Sequence, residues 1–103
     1  MTLYSHGTQP AEPIRVGSMV HASAVSAANI ARDIRENIRN LTGGKMQHYE
    51  RLIDQTVTRA FEQLEQKATE AGYDGVVGVT LSHPVVVEGG VEVIVYGNGF
   101  HYQ

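Results

Sequence analysis

DGVVGVTLSHPVVVEGGVEVIVYGNGF, residues 74–100, is the stretch that decides how this chain folds. It contains two apolar, β-branched runs, residues 76–81 and 91–97. Each follows a glycine turn, Asp74-Gly75 or Glu88-Gly89-Gly90, and the pair reads as a β-hairpin. Proline has no N–H to give to a ladder, so His83-Pro84 should end the regular pairing of the first arm. Under strict alternation Val77, Val79 and Leu81 point one way, and Val76, Gly78 and Thr80 the other. In the second arm Val91, Val93 and Val95 oppose Ile94, Tyr96 and Phe100. Both faces thus carry apolar groups, and a two-layer domain covers only one. Leaving several such side chains wet forgoes roughly 1.5–3 kcal/mol each. A small sheet also has open edges that invite pairing. The expectation is a homo-oligomer, in which a closed ring hides edges and face together.

Upstream of the hairpin, Tyr49, Leu52, Ile53, Val57, Ala60, Phe61, Leu64, Ala68 and Ala71 form one 3.6-period stripe. Glu50, Asp54, Arg59, Glu62, Glu65 and Glu70 supply the solvated side. A helix from Met46 to Ala71, closed by Gly72, would run about 39 Å. Before it, Ile30, Ile34, Ile38 and Leu41 predict a further helix that starts at Ser26, whose hydroxyl suits an N-cap. Gly43-Gly44 breaks the two apart. IRVGSMVHASAV, residues 14–25, reads as a first strand. Ile14, Val16, Ser18 and Val20 fall on one side of it, and Arg15, Gly17, Met19 and His21 on the other. Gly17 suggests a bulge or a close backbone approach. Residues 1–13, with Gly7, Pro10 and Pro13, read as a flexible lead-in to a single domain over 14–103.

The expected fold is therefore α+β, a β-α-(α)-β-β subunit of two layers. Its three-stranded sheet packs on a long helix, with a helix break at Gly43-Gly44.

Charge and composition narrow the function. Eight Lys+Arg stand against 11 Asp+Glu, a formal net charge of -3. Nucleic-acid binders draw much of their affinity from cationic contacts to phosphate, so a nucleic-acid partner is disfavoured. The absence of cysteine excludes thiolate catalysis, Cys-ligated zinc and disulfides, and fits a cytoplasmic setting. No apolar run approaches the roughly 18 residues of a membrane span, and the N-terminus lacks the pattern of a signal peptide.

Gly43-Gly44-Lys45 is not a phosphate loop. In a GxxxxGK loop followed by Ser or Thr, the first glycine would be Arg39 and the hydroxyl Met46, and a strand should precede it. Gly97-Asn98-Gly99 opens like GxGxxG, but the last glycine would be Tyr102. Small residues that admit another backbone are the better reading. None of the five histidines forms HxH or HxxxH. His21 and His101, near strand ends, are the weak metal candidates, since a ring could gather several copies of them. Ser18, Ser23, Ser26 and Ser82 lack any local nucleophile signature, and no catalytic residue is assigned.

Several blocks together resemble the YbjQ-like family. They are Arg32-Asp33, Ile38-Arg39, Gly43-Gly44 and Tyr49-Glu50, the segment AGYDGVVGVTL at 71–81, and the final VIVYGNGF. The resemblance covers about residues 14–102. It implies a dodecin-like β-α-β-β subunit assembled as a pentameric ring, and a family label of heavy-metal binding. Arg32, Asp33, Arg39, Gly43, Gly44, Tyr49 and Glu50 then become structural or interface residues of a helix–break–helix corner. The chain departs from the family in Tyr73-Asp74-Gly75, in the Pro- and Gly-rich lead-in, and in having no cysteine for a soft metal.

The function expected on these grounds is a non-catalytic, homo-oligomeric ring that binds a small ligand or ion. No cofactor is predicted beyond a metal ion. One alternative is a metal-binding protein using histidines gathered at subunit interfaces. The other is an enzyme with a site between subunits, near Arg32, Asp33 and Tyr49.

Overall fold

The computed structural model describes residues 1–26, 43–84 and 91–103. Four strands and one helix follow in the order β1 (Thr2–Ser5), β2 (Ile14–Val25), α1 (Gly43–Glu70), β3 (Gly75–Ser82) and β4 (Glu92–Tyr102). The sheet is mixed, with strand order β1-β3-β4-β2. It has four strands where three were expected. The fourth comes from the stretch read as a lead-in, because Thr2, Leu3 and Ser5 pair in parallel with Gly75, Val76 and Val79. The β3–β4 hairpin is antiparallel as anticipated, and β2 pairs antiparallel with β4.

Helix α1 begins at Gly43, so the two glycines open it rather than stand ahead of it. The predicted helix from Ser26 lies outside the described residues, as does the Glu88-Gly89-Gly90 turn. Gly72, at φ 86°, ends α1 in a Schellman motif. The N–H of Tyr73 reaches the carbonyl of Ala68, and that of Gly72 reaches Thr69, both at 3.0 Å.

The core forms where the stripe of α1 meets one face of the sheet. Ala60, Leu64 and Ala68 pack on Val20, Ala22 and Ala24 of β2, on Val93 and Val95 of β4, and on Val76 of β3. Small residues on both partners let helix and sheet approach closely. Leu3, Val57, Phe61, Tyr73 and Val79 surround this centre, half-buried. Ala71, the last residue of the expected stripe, is exposed.

Two β-bulges correct the strict alternation read from the sequence. Between Val16 and Met19, β2 carries one residue more than β4, which runs only from Phe100 to Asn98. Ile14 and Val16 therefore share a face with Met19, His21, Ser23 and Val25, and Val20 turns to the core. In β3 the extra residue falls between Val77 and Thr80, where Gly78 takes a φ of 65°. Val77 stays on the outer face beside Asn98, and Val79 comes back to the core. Both bulges flank Gly97-Asn98-Gly99 of β4.

Candidate functional site: the outer sheet face and its Tyr73 end

The sheet face turned away from α1 carries a continuous set of apolar side chains. Val16 is 55% exposed, Met19 65%, and Val25, Tyr96 and Tyr102 about two fifths each. Across the ladder Met19 stands opposite Asn98, His21 opposite Tyr96, and Ser23 opposite Ile94. Among the described residues, one end of this face is covered. There Phe100 is fully buried beneath Tyr4 and Tyr102, at ring-centroid distances of 6.1 and 5.3 Å. Gly75 sits opposite, and a Cβ on it would lie 2.5 Å from the Phe100 ring.

The other side of the same end is built around Tyr73. Its ring occupies a slot between Gly17 and Gly99, where a Cβ on Gly17 would lie 2.7 Å from the ring. Its hydroxyl accepts the N–H of Ser18 at 2.9 Å, inside the β2 bulge. Asn98 secures the bulge from the neighbouring strand by donating to the Gly17 carbonyl at 3.2 Å. Asp74 then clamps the end of β4: its N–H donates to Phe100 O at 2.8 Å, and its carboxylate accepts the N–H of Tyr102 at 2.9 Å. The Tyr102 phenol is held above its ordinary range by partial desolvation first, then by Tyr4 and the carboxylates of Glu12 and Asp74. The small residues of Gly97-Asn98-Gly99 thus do admit other groups, Val76 at Gly97 and the Tyr73 ring at Gly99.

Of the residues singled out in the sequence, Arg32, Asp33 and Arg39 lie outside the described residues. Gly43 and Gly44 are the first two residues of α1. Tyr49 is half-buried and Glu50 exposed on the same helix. His21 is exposed on the outer face. His101 is on the opposite face, 5.0 Å from Tyr73 between ring centroids. Within one chain the two histidines therefore share no site. Among the described residues, no group of three or more His, Cys, Asp and Glu side chains could hold a metal ion.

Two contributors escaped the sequence reading. Thr56 is fully buried on the core side of α1. Its hydroxyl donates to Leu52 O at 2.7 Å and pairs with the buried Ser26 hydroxyl. The spacing Leu52–Thr56–Ala60–Leu64 marks that position, but its polarity hid it. Ser26 faces this partner rather than only a local N–H, and its own N–H donates to Val91 O at 2.9 Å. Arg59 closes the strand end by donating to Val25 O at 2.9 Å. A cleft of about 620 Å³ opens beside Val25, Ser26, Leu52, Gln55 and Arg59. Tyr73, the second contributor, was visible only as a departure from the family's usual turn.

Comparison with known proteins places this architecture. Residues 1–102 match the family model YbjQ, described as "putative heavy-metal-binding". A UPF0145 protein of Halobacterium salinarum is 37% identical over 79 residues, covering 77% of this chain and 76% of its own. A UPF0145 protein of Acinetobacter baylyi is 28% identical over 85 residues, 82% of this chain and 79% of its own. The crystal structure of a DUF74-family protein of unknown function from Pediococcus pentosaceus has the same fold. Its TM-score is 0.65 at 19% identity, with coverage of 100% of this chain and 98% of that one. The match over nearly the whole length, including the N-terminal strand, means that this chain belongs to the YbjQ family.

Proposed function

We propose that the chain is a non-catalytic subunit of a homo-oligomeric ring, pentameric by the family resemblance and dodecin-like in its subunit. The ring binds a small ligand or ion. A cytoplasmic setting suits a chain without cysteine.

The observation that carries this reading is the outer sheet face. Val16, Met19, Val25, Tyr96 and Tyr102 are exposed together on it, and burying each of the larger ones is worth roughly 1.5–3 kcal/mol. Among the described residues, strands β1 and β2 are the edges of the sheet, and β2 runs for 12 residues without a proline. Face and edges call for the same remedy, further copies of the chain. The non-catalytic reading is supported by three contacts that occupy hydroxyl and carboxylate groups. The Ser26 and Thr56 hydroxyls hold each other, the Tyr73 hydroxyl holds Ser18, and Asp74 holds Tyr102.

The test is native mass spectrometry beside a Val16→Glu variant. A charge at that position should shift the assembly toward single chains. An unchanged assembly would remove the outer face from the interface.

A second reading, metal binding, is favoured by one observation. His21 stands exposed on this same face, where assembly would bring several copies near one another.

A further inference from the structure

We propose that copies of this chain join edge to edge, with β1 of one copy entering a short window of β2, Met19–Ser23, on the next. The proposal rests on the homo-oligomer put forward for the outer face, and it assigns the joint between subunits to particular backbone groups of the two sheet edges.

The window follows from the β2–β4 ladder. The N–H of Ser26 donates to Val91 O at 2.9 Å, so these two residues form a hydrogen-bonded pair. In an antiparallel ladder such pairs recur at every second residue, here Ala24–Val93, Ala22–Val95 and Val20–Gly97. The backbone groups of Val25, Ser23, His21 and Met19 therefore point out of the sheet edge. The chain itself caps both ends of that edge. Arg59 donates to Val25 O at 2.9 Å. At the bulge Tyr73 accepts the Ser18 N–H and Asn98 donates to Gly17 O. Beyond it Gln103 donates to Ile14 O at 3.2 Å. Among the described residues, nothing bonds the outward groups between these caps.

An open window in a capped edge fits a short added strand. β1, Thr2–Ser5, has four residues and is the opposite edge of the sheet. Its alternation is in phase: Leu3 packs on the core, and Tyr4 lies against Phe100 on the outer face. Laid beside β2 of a neighbour, it continues both layers. β1 is parallel to β3, β3 antiparallel to β4, and β4 antiparallel to β2. Within one chain β1 and β2 thus run the same way, and rotation about a ring axis keeps that direction. The joint is parallel.

The β1 side also lacks a wall. Helix α1 lies chiefly over β2 and β4. At β1 a groove of about 470 Å³ opens, lined by Met1, Leu3, Phe61 and Glu65 among others. It is on the helix side, so contact between outer faces does not fill it. A neighbour joined through its β2 brings its own α1, which lies over that strand, up to the groove. A twofold β2–β2 joint would fill the window but leave β1 and the groove open in both copies. The head-to-tail joint uses both edges of every chain, as closure of a ring requires.

His21→Pro tests the joint in the full chain. The His21 N–H points away from β4, so proline there spares the internal ladder and removes a donor from the window. Circular dichroism should show a folded chain, and native mass spectrometry single chains where the parent gives an assembly. Hydrogen exchange on the parent needs no variant. In the assembly the His21 and Ser23 amides should exchange more than about tenfold slower than in chains diluted to single subunits, with Ala22 protected in both. Ser23→Cys separates the two joints. In the head-to-tail ring, successive copies of β2 stand four strands apart, about 19 Å, beyond the reach of a disulfide. This chain, otherwise free of cysteine, should then not cross-link on oxidation. His21→Pro that assembles like the parent overturns the edge joint. So do His21 and Ser23 amides that exchange in the assembly as fast as in single chains; in both cases the ring still stands on its outer face. Cross-linked pairs of Ser23→Cys overturn it in favour of the twofold joint. A parent that is a single chain removes ring and joint together.

Discussion

Tyr73 and Ser18 meet at 2.9 Å, phenol oxygen to backbone N–H, and so join the turn after α1 to the bulge of β2. The contact exists because Gly17 and Gly99 leave a slot for the ring. Gly99→Ala would put a methyl group into that ring and should cost about 1–3 kcal/mol, as overpacking does. In a Tyr73→Leu background the same change should cost less, because the two residues share one space. Urea unfolding of the four proteins measures the coupling, and strictly additive costs would deny the slot.

Leu64 is fully buried at the centre of the α1 stripe, between Ala60 and Ala68. Leu64→Ala should destabilise the fold by about 2–5 kcal/mol, because the surrounding alanines and valines cannot collapse to fill the space. Gln63→Ala, one residue away on the exposed side, should stay within about 0.5 kcal/mol of the parent. Equal effects at the two positions would contradict the helix orientation.

Ser26 and Thr56 form a buried hydroxyl pair that ties the end of β2 to α1. Thr56→Val strands the Ser26 hydroxyl and should cost about 1–3 kcal/mol. Adding Ser26→Ala should recover part of that loss, because no buried group is then left without a partner. A double variant no more stable than Thr56→Val alone would be against this account.

The Tyr102 phenol has its pKa raised above the ordinary 10.0 by desolvation and by nearby Tyr4, Glu12 and Asp74. A raised value means that the folded chain holds the proton more tightly than the unfolded one. Whatever stability this gives is complete below pH 10 and fades as pH rises through the native value. In an ultraviolet titration Tyr102→Phe should remove an ionisation step above pH 10. Loss of a step at or below pH 10 instead would contradict the assignment.

The sequence made the periodic parts of this fold legible. The α1 stripe through Leu52, Ala60, Leu64 and Ala68 was plain because 3.6-residue spacing persists over many turns. The β3–β4 hairpin was plain from its β-branched runs. β1 was not, because four residues, Thr2–Ser5, are too short for alternation to register beside Gly7, Pro10 and Pro13. Their pairing with β3 is set by tertiary proximity that no local pattern records. The bulges at Gly17-Ser18 and Gly78 were only half visible. Gly17 signalled an irregularity and Gly78 was read within plain alternation, yet at each place one inserted residue reverses every later facing. Val79 therefore turned to the core, and Ile14 and Val16 joined Met19 and His21 on the outer face. Sequence proximity to strand ends suggested His21 and His101 as companions, and the sheet puts them on opposite sides.

The measurement closest to the central claim is native mass spectrometry of the untagged chain from gentle purification. The account predicts a closed assembly at five times the 11.2 kDa subunit mass, which falls apart in Val16→Glu. A bare 11.2 kDa chain at micromolar concentration, with Val16, Met19 and Tyr96 still open to solvent, would contradict it.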